Sequence, residues 1–221
     1  MSARAPKTMW KPCSARPDCW DRMMLGVGEY EIPKGKLSVV VTYLEMTAPQ
    51  PVRAAPAIKG FSMRRVTNPD VAWYRDLFRR VGALDWLWHS RLDLDDAELD
   101  AILTDPAVHV YAAQLDGQDE GIVELDFRTQ GLCELAFFGT TRSLMGKGAG
   151  RAMMNHAITA AWAEPIRLLH VHTCTADHPA ALAFYQRSGF VPVRQTIDIE
   201  EDPRLTGMVP RDSGPHVPIF D

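Results

Sequence analysis

The chain of 221 residues lacks any uninterrupted apolar run of membrane-spanning length, its best being the short stretch from Leu37 to Leu44, so no membrane partner is expected. Lys7, Lys11 and Arg16 occur without the apolar segment of a secretory signal, and the cytoplasm is the expected compartment. Positive charge is in short supply as well, with 24 Lys and Arg against 28 Asp and Glu for a net charge of -4. No segment concentrates basic residues, which argues against a nucleic-acid partner. Cysteine is scarce. Cys13, Cys19, Cys133 and Cys174 fall at no framework spacing, and reduced thiols are the simpler expectation. There is no internal repeat. What remains, 46% hydrophobic and 24% charged residues, is the composition of one well-cored globular domain with extensions.

Period and punctuation divide the chain. Residues 1–36 form an irregular leader, rich in Pro, Arg and Met, in which Met23 and Met24 are alternative starts. Residues 37–60 hold an extra β-branched strand ahead of the main domain and a linker marked by Pro49, Pro51 and Pro56. Residues 61–199 read as β-α-α-β-β-β-α-β-α-β, a mixed α/β domain. Its first helix is expected to be capped by Asn68-Pro69 and stopped by Gly82, and its second to run from Asp95 to Leu103. Val108–Gln114, Gly121–Arg128 and Leu132–Phe138 form an antiparallel meander, with turns at Asp116-Gly117 and Gln130-Gly131. A helix from Arg151 to Ala163 carries Met154, Ala157, Ile158 and Ala161 on one stripe. Leu168–Thr173 is the next strand. The last helix starts from an Asp177 cap and stops at Gly189, before a strand from Phe190 to Ile199. Residues 200–221 form a Pro-rich extension that either lies on the surface through Leu205, Met208, Val217, Ile219 and Phe220 or is disordered.

The chain is organised around Met145-Gly146-Lys147-Gly148-Ala149-Gly150-Arg151, which follows a strand and opens a helix. Alternate glycines let backbone N–H groups converge on one point, and the helix adds its unpaired first-turn donors and positive dipole end. Lys147 and Arg151 add charge. The result is an anion cradle for a phosphate or pyrophosphate. A dinucleotide fingerprint has the spacing G-x-G-x-x-G near the start of a parallel sheet, whereas here a meander leads into G-x-G-x-G.

That loop and a second stretch, Asp177-His178-Pro179-Ala180-Ala181-Leu182-Ala183-Phe184-Tyr185-Gln186-Arg187-Ser188-Gly189-Phe190, together resemble the GNAT superfamily of acyl-CoA-dependent N-acyltransferases over roughly Phe61 to Ile199. Their patterns are [Q/R]-x-x-G-x-[G/A] and N-x-x-A-x-x-[FL]-Y-x-x-x-G-F. Met145 stands where Gln or Arg is usual, and His178 where Asn is usual. The resemblance implies a mostly antiparallel mixed sheet, splayed at an acyl-CoA cleft and flanked by helices. It also implies acetyl-CoA as co-substrate, an amine acceptor, direct transfer in a ternary complex and no metal; a homodimer stays open. It assigns cofactor contacts to Ala136, Phe137, Phe138, Met145 through Arg151, and His178.

Two strand carboxylates are candidate bases. Strict alternation puts Glu134 on a side with Leu132, Ala136 and Phe138, and Glu124 with Ile122 and Asp126. Burial would raise such a carboxyl toward neutrality, suiting it to take an amine's proton. Glu134 is the first choice, and relatives place theirs nearby. Tyr185 matches the family's tyrosine, a phenol of pKa near about 10 that protonates a departing thiolate of pKa near about 8.5. His170, His172 and Cys174 alternate along one strand without a spaced fourth ligand, so no metal is expected and His172 is the second-choice base. Trp86, Trp88 and His89 are candidates for the acceptor wall or for a core cap. The reading from another class is a non-catalytic acyl-CoA-binding sensor or interaction module, motivated by Met145.

Overall fold

The computed structural model describes residues 25–221; Cys13, Cys19, Met23, Met24 and most of the expected leader lie outside the described residues. The chain divides into Met1–Glu31 and Ile32–Asp221. In the first unit the Tyr30 hydroxyl donates to the Gly26 carbonyl at 2.9 Å.

The second unit is built on a 7-stranded sheet: β1 Lys36–Met46, β2 Phe61–Val66, β3 Val108–Leu115, β4 Gln118–Asp126, β5 Leu132–Thr140, β6 Leu168–Cys174 and β7 Val191–Glu201. They lie in the order β2-β3-β4-β5-β6-β1-β7. Every neighbouring pair is antiparallel except β5 and β6, so the sheet is mixed and mostly antiparallel, as the resemblance implies. The β-branched run at residue 37 does not stand ahead of this sheet. It lies inside it, with Val41 opposite both Cys174 of β6 and Thr196 of β7.

Two irregularities shape the centre. The pairing of β5 with β6 covers only Leu132↔Leu168, Cys133↔Leu169 and Glu134↔His170, and beyond it the strands part. Between β4 and β5 the register shifts, Leu125 facing Leu135 and Glu124 facing Phe137, which leaves Ala136 as a bulged residue. Alternation therefore fails at Ala136. Phe137, not Phe138, shares the Glu134 face, and Phe138 joins Val123 on the other.

Helices cover both faces. On one, α4 (Ala149–Trp162) and α5 (Ala181–Arg187) bury Met153, Met154 and Tyr185 against Leu44, Leu125, Leu135 and Leu169. On the other, α1 (Val71–Phe78) and α3 (Asp96–Leu103) bury Tyr74, Leu77, Phe78 and Leu99 against Val110 and Ile122. The α1 cap is Asp70, which accepts from Trp73 N–H, rather than Asn68-Pro69. Gly82 does not stop the helix. The chain continues through a π-helical turn, Arg79–Ala83, into α2, Leu84–Trp86, and turns at left-handed Leu87. Gly82 is required there because a Cβ would sit 2.0 Å from the Trp88 ring. Asp95 and Glu98 close a full capping box on α3.

The C-terminal extension is an ordered cap. Its hub is Arg204, buried with Asp202, which it meets at 2.7 Å, while its guanidinium also donates to Val217 O at 2.7 Å. Val209 and Val217 pack on Leu37, Ala83 and Leu87. Gly214 N–H donates to Leu84 O at 2.8 Å, so the cap holds the α2 segment from outside.

Candidate active site

The helix expected from Arg151 begins two residues earlier, at Ala149, with Gly148 as its left-handed cap (φ 85°) and Gly146 also left-handed (φ 73°). Leu144, Met145 and Lys147 turn their N–H groups back into the loop, and Arg151 N–H returns to Gly148 O at 3.1 Å. Among the described residues no group accepts from the N–H of Gly146, Gly148, Ala149 or Gly150. The free donors are fewer than expected, since Arg151 contributes only its side chain. An anion placed there meets unpaired donors and the positive helix end together.

One strand away, the parting of β5 from β6 opens the sheet. On the α1 face of this gap, His172 Nδ1 lies 3.2 Å from Glu134 Oε1, with 45% and 24% of the side chains exposed. Burial would raise the Glu134 carboxyl, but the hydrogen bond and charge of His172 outweigh it and hold the carboxyl below its ordinary range. The expected upward shift of Glu134 is therefore reversed. Burial opposes the charge on His172, and the hydrogen bond and charge of Glu134, helped by Asp177 and Asp198, raise its pKa above the usual histidine value. Glu134 is an ionised partner of a basic imidazole. His170, which pairs with Glu134 in the ladder, is pushed by burial down to about 4 and stays neutral.

On the opposite face, Tyr185 packs edge-on against Phe138, Phe184 and Phe190. Burial, with the Asp177 charge adding to it, raises the phenol well above its ordinary range, so it remains protonated. Its hydroxyl has no hydrogen-bond partner among the described residues.

Asp177 joins the two sides. It does not cap α5, whose first residue is Ala181 and whose cap makes no side-chain bond. Its Oδ2 accepts from Thr173 Oγ1 at 2.7 Å and Cys174 N–H at 2.8 Å, and Oδ1 accepts from Trp88 Nε1 at 3.0 Å. Trp88 also packs on Phe137, so it bridges from β5 to the end of β6 beneath the gap. Trp88 is a strut, whereas Trp86 lies between the rings of His178 and His216. His178 Nδ1 accepts from Ala180 N–H at 3.0 Å, which explains how histidine substitutes for asparagine in this turn. His89 Nε2 lies 2.7 Å from Glu200 Oε2.

Glu124 is fully buried, hydrogen-bonded by the Tyr74 hydroxyl and by Arg91 Nη2 at 2.5 Å. It is closed to a substrate. Sequence reading missed Arg91, which lies over Phe137, because nothing in its neighbours marks a loop arginine as the counterion of a strand carboxylate. His170, His172 and Cys174 do share a face, but among the described residues no group of three or more His, Cys, Asp or Glu is arranged to hold a metal ion. Cys133 and Cys174 are unpaired, and burial raises both thiols, Cys174 to about 12. Among the described residues no helix is long and apolar enough to cross a membrane.

The fold is similar to that of a GCN5-related N-acetyltransferase from Sphaerobacter thermophilus, at 16% identity and a TM-score of 0.58, covering 76% of this chain and 53% of that one. It is similar also to a GCN5-related N-acetyltransferase from Kribbella flavida, at 18% identity and a TM-score of 0.51, covering 78% and 63%. The chain thus spans between about half and two thirds of the length of these structures. No curated protein matches its sequence. Residues 72–190 match the family described as Acetyltransferase (GNAT), which is more than half of the chain. With the strands parted beside a glycine cradle, and that match spanning both, the chain belongs to the GNAT acetyltransferase family.

Proposed function

We propose that this acyltransferase moves an acetyl group from acetyl-CoA to an amine by direct attack in a ternary complex, in the cytoplasm. The observation that carries the reading is the gap beyond Glu134↔His170, with a carboxylate–imidazole pair on one face and a protonated phenol on the other. The pyrophosphate takes the free N–H groups of Gly146 and Gly148–Gly150, with Lys147 and Arg151 beside it. The pantetheine arm lies along the β5 edge at Ala136, Phe137 and Phe138, as an added strand would. Met145 and His178 border this path.

The acceptor enters from the α1 face. His172, held by Glu134 through Nδ1, takes the proton from the attacking amine, so Glu134 acts as a positioning residue. The new N–C bond forms a tetrahedral centre whose oxygen is polarised by backbone N–H in the Phe137 region. Its collapse breaks the C–S bond, and Tyr185 gives its proton to the leaving sulfur. The test is thiol release from acetyl-CoA against a panel of amines. Release that requires an amine supports the reading. Tight acetyl-CoA binding with no release across the panel makes the chain a non-catalytic acyl-CoA module, the reading that the apolar side chain of Met145 favours.

A further inference from the structure

The linker between β1 and β2 does not hang free of the cradle. A Cβ on Gly148 would sit 2.3 Å from Pro56 Cγ, and one on Gly189 would sit 2.4 Å from Gln50 Cγ, so the linker passes over the start of α4 and the end of α5. It is fixed there. Asn155 on α4 accepts from Arg53 N–H at 3.3 Å and donates to Arg53 O at 2.6 Å, gripping one linker residue on both sides of its backbone. That grip aims the Arg53 guanidinium at the Arg187 carbonyl. Arg151, on the first turn of α4, reaches the next residue, donating to Ser188 Oγ at 3.1 Å.

The guanidiniums of Arg53 and Arg151 thus both reach the end of α5 at Arg187 and Ser188, where the exposed Arg187 adds a third charge, and among the described residues none of the three has a carboxylate partner. Burial, then the charges of Arg53 and Arg187, lower the Arg151 pKa. The end of α5 attracts a cation weakly through its dipole, which accounts for one arginine and not for three. An uncompensated cationic cluster one helical turn from a pyrophosphate cradle fits a second anionic group on the same ligand.

We infer that Arg53, Arg151 and Arg187 form a phosphomonoester subsite that takes the 3′-phosphate of CoA, with Arg53 supplied by the linker outside the family-matched region. The inference rests on the acyl-CoA reading above and adds to it a means of telling CoA from its dephosphorylated form. Guanidiniums give phosphate charge-assisted hydrogen bonds, and losing one is expected to cost about tenfold in affinity.

Calorimetric titration of the full chain with CoA and with dephospho-CoA tests it. The native chain is expected to prefer CoA by about tenfold or more. Arg53→Gln and, separately, Arg187→Gln should shrink that preference to within about threefold by weakening CoA alone. The Arg187 side chain is exposed, and its carbonyl still accepts from Arg53 in the variant, so that substitution leaves the linker's anchor in place. Equal binding of the two ligands by the native chain overturns the inference, as does a variant that weakens both ligands equally. Failure of both ligands to bind removes the acyl-CoA reading itself.

Discussion

His172 Nδ1 stands 3.2 Å from Glu134 Oε1, on two strands whose last paired residues are Glu134 and His170. The ion pair thus lies at the point where the sheet opens. Removing the carboxylate with Glu134→Gln leaves the imidazole without the partner that raises its pKa. The rising limb of kcat/KM against pH should move to lower pH, with His172→Gln lowering kcat by about 10²-fold or more. A limb that stays in place in Glu134→Gln would assign it to another group.

The same pair gives a stability prediction of definite sign. The His172 pKa is raised on folding, so its contribution is complete below the unfolded value of about 6.5 and is lost as pH rises through the folded value. The Glu134 pKa is lowered, so its contribution is present above about 4.3 and is lost as pH falls through the folded value. The Tm difference between the native chain and Glu134→Gln should therefore be larger near pH 5.5 than near pH 9. The reverse order would contradict the upward shift of His172.

Tyr185→Phe keeps the ring that meets Phe138, Phe184 and Phe190 and removes only the hydroxyl. Turnover should fall by about 10²-fold with CoA affinity and Tm nearly unchanged. Native turnover would reduce the residue to packing.

Two glycines of the cradle separate strain from obstruction. Both are left-handed, but nothing lies within 4 Å of a Cβ on Gly146, while one on Gly148 meets Pro56. Gly146→Ala should cost about 1–2 kcal/mol of stability and leave most CoA affinity. Gly148→Glu should abolish CoA binding by displacing the linker and placing a carboxylate in the cradle. Unchanged affinity in Gly148→Glu would remove the cradle from the mechanism.

Arg204 and Asp202 expose only 2% and 1% of their side chains. Arg204→Met strands the carboxylate and frees the carbonyls of Val217 and Pro218. A loss of about 3–5 kcal/mol is expected in denaturant unfolding. A loss under about 1 kcal/mol would mean that the cap contributes little to the fold.

The parts legible in the sequence were those with local chemistry. Gly146 and Gly148 announced a turn into a helix, Asp95 marked the start of α3, and the meander followed from alternation between turn signals. What escaped depended on distant partners. Asp177 resembled a helix cap, yet it closes the turn after β6 and holds Trp88, because Thr173 and Cys174 offer better-placed donors than Ala181. The bulge at Ala136 has no side-chain signature, and it alone reversed the facing of Phe137 and Phe138. Glu134 was expected to be a base with a raised pKa, and it lies where the β5–β6 pairing ends with its pKa lowered instead. Its ionisation was set by His172, a residue 38 positions away in number but adjacent across the parting strands. Whether the extension packs or is disordered stayed open in the sequence, since its order comes from one buried arginine binding backbone carbonyls.

The position of β1 has a consequence for how the chain acquires its structure. Val41 must find Cys174 and Thr196, both made long after it. A nascent chain therefore carries the run from Leu37 to Leu44 unpaired while the intervening strands and α4 are synthesised. Sheet closure waits for β6 and β7 to emerge, which makes that step a long-range encounter and a slow one. Until then the run is an exposed, β-prone segment of low charge, the kind of surface on which chaperones act and aggregation begins.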